Sequence, residues 1–308
     1  MKKIKNILLN IIKSINPFSG KDTDNKILYT IKILLTTQVI YFLTLIVAEA
    51  IIIGISYLFG YNATDKQMPQ NITLIISFFG YIIPLMVFIL YTKKINKSNA
   101  DRIGLNKNFK PYIKGILIGI ITLIITIVPL ILCGAVKFEG VNSNINWLFI
   151  VLFFFAYLTQ SVMEEVICRG FIFYRLKEKL SSIFAITINI GFFLIGHWSK
   201  MFDDGTLIGI IGVTNAILIG LIFTVLTMQD KNIYSAIGFH HIWNFGLFCI
   251  IGLNVSGNEV TNSIFNITQI DSFLTGASYG IESSIICTIV YSFVLTILLI
   301  IKRRTKVL

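Results

Sequence analysis

Eight apolar runs of about 18 or more residues constrain the fold of this chain more than any other feature. A run of this length lets an α-helix cross a lipid bilayer. Of the 308 residues, 55% are hydrophobic and 13% are charged, whereas an ordinary soluble domain has about 25% charged residues. We therefore predict an all-α, polytopic integral membrane protein with about eight transmembrane helices. The predicted spans are 33–59, 72–91, 113–134, 146–174, 182–199, 207–228, 232–253 and 280–301.

The first 16 residues are predicted to form an amphipathic helix that lies on the membrane surface. Their isoleucine and leucine residues recur at the spacing of one helix face, and lysines occupy other positions. Asn16-Pro17 ends the helix, because the residue before a proline disfavours helical backbone angles. We therefore divide the chain into an interfacial segment, 1–27, and a membrane-embedded domain, 28–308. The apolar stripe consists of Ile4, Ile7, Leu8, Ile11, Ile12 and Ile15.

Basic residues alternate between the connections of the predicted spans. With the N-terminus in the cytoplasm, 22 of the 26 lysine and arginine residues, Lys306 among them, lie in cytoplasmic segments, and Lys66 lies outside. The positive-inside rule therefore predicts that both termini are cytoplasmic. Contacts with anionic headgroups account for the net charge of +11, so no nucleic-acid partner is expected. The heavy use of Ile, Lys and Asn is typical of an AT-rich bacterial genome, which favours a bacterial plasma membrane.

Three charged residues interrupt the fourth predicted span, 146–174: Glu164, Glu165 and Arg169. A charged side chain at the bilayer centre costs at least about 2.5–3.5 kcal/mol, so such residues normally face the bundle interior and mark a functional site. Glu165 and Arg169 are four residues apart and share a helix face, where they can pair. Glu164 lies about 100° around the helix and need not share that partner. One carboxylate is thus available for chemistry.

All three histidines of the chain, His197, His240 and His241, lie in predicted spans. The pairs Phe193–His197 and His240–Asn244 each have a spacing of four residues, which places both members on one helix face. A carboxylate and a histidine can share the activation of a water molecule as general base. A second histidine and an asparagine amide can donate hydrogen bonds to a developing oxyanion. Together these roles describe amide hydrolysis without a covalent intermediate.

Three other chemistries fit parts of this set. Histidines and a glutamate could bind zinc, but the chain has no H-E-x-x-H helix, and the histidines come from separate helices. Cys168 could act as a nucleophile, although a buried cysteine in apolar surroundings is usually inert. We expect all four cysteines, including Cys133, to be buried small hydrophobes. Intramembrane Glu and His residues also form proton relays in transporters, but the internal repeats and broken spans typical of transporters are not evident.

Three motifs stand in order on separate predicted spans between residues 164 and 244. They are Glu164-Glu165-x-x-x-Arg169, Phe193-x-x-x-His197 and His240-x-x-x-Asn244. Together they resemble the signature motifs of the CPBP intramembrane protease family, which includes CAAX prenyl proteases of the Rce1 type and bacterial Abi or bacteriocin-immunity homologues. The eight-span layout is similar as well. The resemblance identifies 146–253 as the motif core of a membrane-embedded protease domain.

The resemblance implies hydrolysis of a peptide bond by an activated water molecule, with no metal or other cofactor. Glu164 would be the general base together with His197, and His240 and Asn244 would stabilise the oxyanion. The implied partners are a membrane-associated peptide or protein substrate and the lipid bilayer. Two other functions stay open: a bacteriocin-immunity or scaffold protein that acts by binding, and a proton-coupled transporter.

Three further residues are implied to support the site. Glu165 and Arg169 would hold it together, and Phe193 would pack beside the histidine of its own motif. His241 directly follows His240, but the four-residue spacing of the third motif selects His240. We therefore expect His241 to be a structural hydrogen-bond donor.

Overall fold

The computed structural model of the chain describes residues 2–61 and 67–304, and most of this part is helical. Each predicted span has a helical counterpart. The predicted all-α, polytopic membrane fold is confirmed. The helices are α1 (Lys2–Ile15), α2 (Lys26–Leu58), α3 (Gln70–Gly80), α4 (Ile82–Lys94), α5 (Lys110–Leu132), α6 (Trp147–Glu165), α7 (Tyr174–Lys177), α8 (Ser182–Met201), α9 (Thr206–Asp230), α10 (Tyr234–Phe245) and α11 (Ile285–Arg304).

Six helical stretches within the described residues are long and apolar enough to cross a bilayer. The apolar part of α8, Ser182–Trp198, is shorter. Helix α10 has 12 residues before the backbone widens into π-helical turns over Gly246–Ile251. The count of eight membrane-crossing helices therefore stays a prediction. The six stretches are Lys26–Leu58, Gln70–Lys94, Lys110–Leu132, Trp147–Lys177, Thr206–Asp230 and Ile285–Arg303.

The predicted N-terminal amphipathic helix corresponds to α1. Most of its described apolar side chains are exposed, for example Leu8 at 54% and Ile12 at 60%, whereas Ile15 is half-buried. An exposed apolar face opposite lysines suits a helix that lies in the headgroup region. The division at residue 27 and the interfacial role of 1–27 stay predictions, because no membrane is present to test them.

A cluster of ion pairs joins the segment after α1 to the end of α7. The Asp22 carboxylate lies 2.8 Å from Arg175 Nη2, 3.3 Å from Arg102 Nη2 and 3.4 Å from Lys32 Nζ. Burial disfavours the charged form of Asp22, but the three cations, Arg175 foremost, outweigh burial and lower the pKa of Asp22 below its usual value. Glu178 pairs with Arg102 at 2.7 Å. The cluster fixes the start of α2 against α7.

The ends of α9 and α11 lie at the same end of the bundle as this cluster. The main-chain N–H of Ile233 donates to Gly104 O, two residues from Arg102, and the Gln229 amide donates to Leu298 O near the end of α11. We call this the basic end, defined by Lys32, Arg102, Arg175 and Lys302. That the basic end faces the cytoplasm stays a prediction. Two of the lysines on which this prediction rests, Lys66 and Lys306, lie outside the described residues.

The opposite end carries a small sheet that the sequence did not predict. Strands β1 (Val136–Val141) and β2 (Phe265–Gln269) pair in antiparallel fashion, with Val136 opposite Gln269. The rings of Phe138 and Phe265 lie 5.3 Å apart across the strands. We call this the sheet end. The pairing joins the segment before α6 to the segment before α11, so it covers one end of the motif helices.

Helices α5 and α10 approach closely through glycines. A Cβ atom at Gly238 would lie 2.1 Å from Tyr112 O, and one at Gly115 would lie 2.0 Å from Ser235 O. Any larger residue would push the two backbones apart. The close contact seats α10 deep in the bundle and sets the depth of His240 and His241 beside α6.

Candidate active site

The predicted ion pair between Glu165 and Arg169 is present. Arg169 Nη1 lies 3.0 Å from Glu165 Oε1, and both side chains are fully buried. Arg169 Nη2 also donates to Gly220 O on α9, and its guanidinium lies over the rings of Phe193 on α8 and Phe223 on α9. A buried charge is tolerated only when it is paired and hydrogen-bonded. Arg169 thus ties three helices together behind the site.

The backbone changes form directly after Glu165. Residues Val166–Phe173, which include Arg169, adopt π-helical geometry between α6 and α7. Such insertions are rare in helices and are frequent at functional sites. The wider turn changes which side chains after Glu165 lie on the same face of the helix. The residue pattern did not predict this π-helical segment.

His240 lies between the two glutamates. Its Nδ1 atom is 3.1 Å from Glu165 Oε1, and its Nε2 atom is 3.8 Å from Glu164 Oε2. The imidazole is stacked on Phe223, with ring centroids 5.2 Å apart. A carboxylate accepts the hydrogen of Nδ1–H, so Nε2 is left on the side of Glu164. The sequence predicted His240 as a site residue but not its contact with both carboxylates.

Gln160 is a site residue that the sequence analysis missed. Its Nε2 donates to Glu164 Oε1 at 2.8 Å, and its Oε1 accepts from Asn244 Nδ2 at 3.0 Å. Gln160 therefore links the first motif to the third. The four-residue spacing from Gln160 to Glu164 was the signal that could have found it.

The two residues that Gln160 links each keep one buried polar atom without a hydrogen bond to a described residue. These atoms are Oε2 of Glu164 and Oδ1 of Asn244. Buried polar atoms without partners are uncommon in folded proteins and cost free energy. Here they lie at the motif residues, where a reacting water or a peptide group could satisfy them.

His197 contacts its own motif rather than Glu164. Its Nδ1 lies 2.9 Å from Phe193 O, and its ring lies 4.5 Å from the Phe193 ring between centroids. A carbonyl oxygen only accepts, so Nδ1 carries the hydrogen and the neutral ring keeps a lone pair on Nε2. Glu164 and His197 line one cavity, although no direct hydrogen bond between them is seen in the described part of the chain.

Two adjoining cavities bring the motifs together. The inner cavity has a volume of about 30 Å³ and is lined by Gln160, His197, His240 and Asn244 among others. This is enough space for a water molecule. The outer cavity has a volume of about 460 Å³, is lined by Glu164 as well as Gln160 and His197, and is of a size typical for ligands. The arrangement offers a small cavity with several polar side chains next to a larger one.

His241 lies apart from these cavities. Its Nδ1 is 2.7 Å from the Tyr112 hydroxyl, and its Nε2 is 2.9 Å from Phe154 O. Because a carbonyl only accepts, Nε2 carries the hydrogen and Nδ1 accepts from Tyr112. The side chain bridges α5, α6 and α10, which agrees with the structural donor expected from the sequence.

Two expectations concern cysteines and metals. Cys168, Cys249 and Cys287 are buried, but Cys133 is exposed after the end of α5, so the expectation that all four are buried is wrong for Cys133. Cys133 follows the last apolar turn of α5, where the helix has left the packed bundle.

Across residues 2–61 and 67–304, no three His, Cys, Asp or Glu side chains are arranged to hold a metal ion. The cofactor-free site stays a prediction.

The chain was compared with known families, curated proteins and solved structures. Residues 146–246 match the family described as type II CAAX prenyl endopeptidase Rce1-like. No curated protein and no solved structure matches the chain. The matched third of the chain contains all three motifs, so the resemblance predicted from them is confirmed.

Proposed function

We infer that this chain, which carries the Rce1-like endopeptidase pattern over residues 146–246, is a multi-pass intramembrane endopeptidase that cleaves a membrane-associated peptide or protein. One observation carries the inference: His240 contacts Glu164 and Glu165, and Gln160 joins Glu164 to Asn244. Residues of the three motifs thereby lie around two adjoining cavities in an apolar bundle. Burying polar and charged side chains inside a membrane costs free energy, and such residues normally mark a functional site.

Glu164 is proposed as the general base. Its Oε2 has no hydrogen-bond partner among the described residues, and Gln160 holds its other oxygen. A water molecule in the outer cavity, which Glu164 and His197 both line, can give a proton to Glu164 while its oxygen attacks the peptide carbonyl carbon. The unprotonated Nε2 of His197 can orient the same water. The proton then passes to the leaving amine as the C–N bond breaks, so no covalent adduct forms.

Asn244 and His240 are proposed to stabilise the oxyanion. Asn244 Nδ2 uses one hydrogen for Gln160 and has a second to donate. His240 lines the same inner cavity, and Glu165 accepts from its Nδ1–H; in the imidazolium form His240 has a second hydrogen, on Nε2, to donate. Donors held in place before the reaction begins stabilise developing charge without reorganisation. Glu165 and Arg169 thus act as positioning residues, and Phe193 packs against both Arg169 and His197.

The location of the protein is also a proposal. The distribution of basic residues supports a plasma membrane, with the basic end in the cytoplasm. The composition supports a bacterial source. No metal or other cofactor enters the proposed reaction.

The proposal is tested in membranes of cells that express the wild type, Glu164→Gln or Glu49→Gln at equal levels. Glu49 is a matched control, because it is an exposed carboxylate on α2 that lines neither cavity. Small proteins and new N-termini are catalogued by mass spectrometry. We expect a membrane peptide that stays uncut only in Glu164→Gln. Identical catalogues in all three strains would contradict the proposal and favour a protein that acts by binding.

A further inference from the structure

We propose that the site is loaded from the sheet end of the bundle, opposite the basic end. The substrate is then a membrane-anchored peptide whose cleaved segment lies in the half of the bilayer near the sheet end, or at that surface. The assignment of a substrate rests on the proposed function, whereas the route into the cavity does not.

Residues of the sheet end line both cavities. Ser256 and Tyr279, which lie in the connection from α10 to α11, contribute to each. Lys200 and Asn258 line the outer cavity, and Glu282 lines the inner one. Both cavities therefore extend from the motif residues up to the polar connections of this end.

The position of His197 agrees with this direction. His197 lies three residues before Lys200 on α8, which is about 4.5 Å along the helix axis. From Ser182, at the other end of α8, His197 is about 22 Å away. His197 is thus about one helical turn from the sheet-side end of α8, whereas Glu164, 17 residues after the sheet-side start of α6 at Trp147, lies deeper in the bundle.

Packed side chains separate the cavities from the basic end. Phe171, Phe173 and Leu176 follow the Glu165–Arg169 pair, and each is at most 1% exposed. Beyond them lies the cluster around Asp22 and Arg175. Among the described residues, no member of this cluster lines either cavity. A peptide arriving from the basic end would have to displace a buried apolar layer and a set of ion pairs.

The rim of the cavities at the sheet end, formed by Lys200, Ser256, Asn258 and Glu282, is polar and is fixed by hydrogen bonds. Lys200 Nζ donates to Gly257 O at 3.1 Å and lies 3.4 Å from Asn258 Oδ1. The N–H and hydroxyl of Ser256 both donate to Glu282 Oε2, at 2.7 and 2.6 Å. Such a rim suits a hydrated, extended main chain better than an apolar tail. Ile195, which is 71% exposed on α8, lines the outer cavity and leaves a lipid-facing flank for the anchored part of the substrate.

Cysteine accessibility tests the route. In a Cys133→Ala, Cys168→Ala background, the remaining cysteines are fully buried. The reporter is Gly196→Cys, because Gly196 lines the outer cavity and an added Cβ there meets no atom within 4 Å. Reference variants are Glu259→Cys at the sheet end, Lys107→Cys at the basic end and Ile121→Cys on the lipid-facing side of α5. A charged, membrane-impermeant maleimide is added to sealed vesicles of both orientations.

We expect Gly196→Cys to be labelled from the side that labels Glu259→Cys and not from the side that labels Lys107→Cys. Labelling from the Lys107 side overturns the proposal. Labelling from neither side beyond the level of Ile121→Cys also overturns it, since the cavity would then be closed to water at the sheet end. A second reporter, Asn258→Cys at the rim, should be labelled from the same side as Glu259→Cys.

Labelling requires no turnover, so the two proposals can fail separately. The same pattern is expected in a Glu164→Gln background. If the pattern holds but the membranes of wild type and Glu164→Gln contain identical peptides, the route stands and the endopeptidase assignment fails. If a substrate is found and its cut end appears on the Lys107 side, the endopeptidase stands and the route is wrong.

Discussion

The side-chain amide of Gln160 donates a hydrogen bond of 2.8 Å to Oε1 of Glu164, one turn further along the same helix. The other end of that amide accepts from Asn244. Through Gln160, the proposed base and a proposed oxyanion donor are held at a fixed separation. Preorganised geometry of this kind can account for a large part of a catalytic rate.

Replacing Gln160 should slow turnover without unfolding the protein. Gln160→Met keeps the length of the side chain but removes both hydrogen bonds, so Glu164 and Asn244 lose their common support. We expect kcat to fall on the order of 10²-fold with a smaller change in KM. The measurement is peptide turnover in proteoliposomes, with Thr159→Val, on the neighbouring position, as control. Equal kcat values for Gln160→Met and Thr159→Val would contradict a positioning role.

Removing one partner of the buried ion pair should destabilise the protein. Arg169→Met leaves the Glu165 carboxylate buried without its cation, at a cost of about 3–5 kcal/mol. The double variant Glu165→Met, Arg169→Met removes both charges and should recover most of that loss. Thermal unfolding in detergent measures both. Equal unfolding temperatures for the single and double variants would show that the pair is not energetically coupled.

The two adjacent histidines should separate activity from stability. His240→Ala is expected to abolish turnover while the protein remains folded, because His240 contacts both glutamates. His241→Ala leaves Phe154 O and the Tyr112 hydroxyl without their partner, at a cost of about 1–3 kcal/mol, but should keep the activity per folded molecule. Turnover and unfolding are measured side by side. The opposite result, with activity lost only in His241→Ala, would reverse the assignment.

The Asp22 cluster should make stability depend on acid pH. The folded protein holds the pKa of Asp22 below its usual value of 3.8, so the ionised carboxylate stabilises the fold above that pH. The contribution disappears as the pH falls through the lowered pKa, where Asp22 becomes protonated. Asp22→Asn should therefore be less stable than wild type at neutral pH, on the order of 2 kcal/mol. The difference should shrink below about pH 4, as followed by unfolding in detergent. A difference that does not change with pH would contradict the ion-pair account.

Local spacing in the sequence was sufficient for contacts within one helix. The Glu165–Arg169 pair and the contact of the His197 ring with the Phe193 ring both follow from the four-residue period of a helix. The separation of His241 from the third motif followed from the same rule. The apolar runs located most helices to within five residues, because burial in lipid needs an uninterrupted run, but α2 begins at Lys26, seven residues before the predicted span 33–59.

Contacts between residues far apart in the sequence could not be predicted from local spacing. The approach of His240 to both glutamates depends on how α10 packs against α6, which in turn depends on glycine contacts with α5. The pairing of β1 with β2 joins two short polar segments from opposite sides of the motif core. The π-helical turns after Glu165 depend on tertiary packing rather than on residue type. The sequence therefore predicted the ion pair of Arg169 with Glu165, but not the contacts of Arg169 with α8 and α9.

The measurement that tests the central claim most directly is turnover by purified protein in proteoliposomes. The substrate is the peptide that stays uncut in Glu164→Gln membranes, and the variants are wild type, Glu164→Gln and Glu49→Gln. Loss of a general base should lower kcat at least about 10²-fold in Glu164→Gln while its unfolding temperature stays near that of wild type. Glu49→Gln should cleave at the wild-type rate. Cleavage by Glu164→Gln at the wild-type rate would contradict the account, because the peptide bond would then be cut without the carboxylate around which this site is arranged.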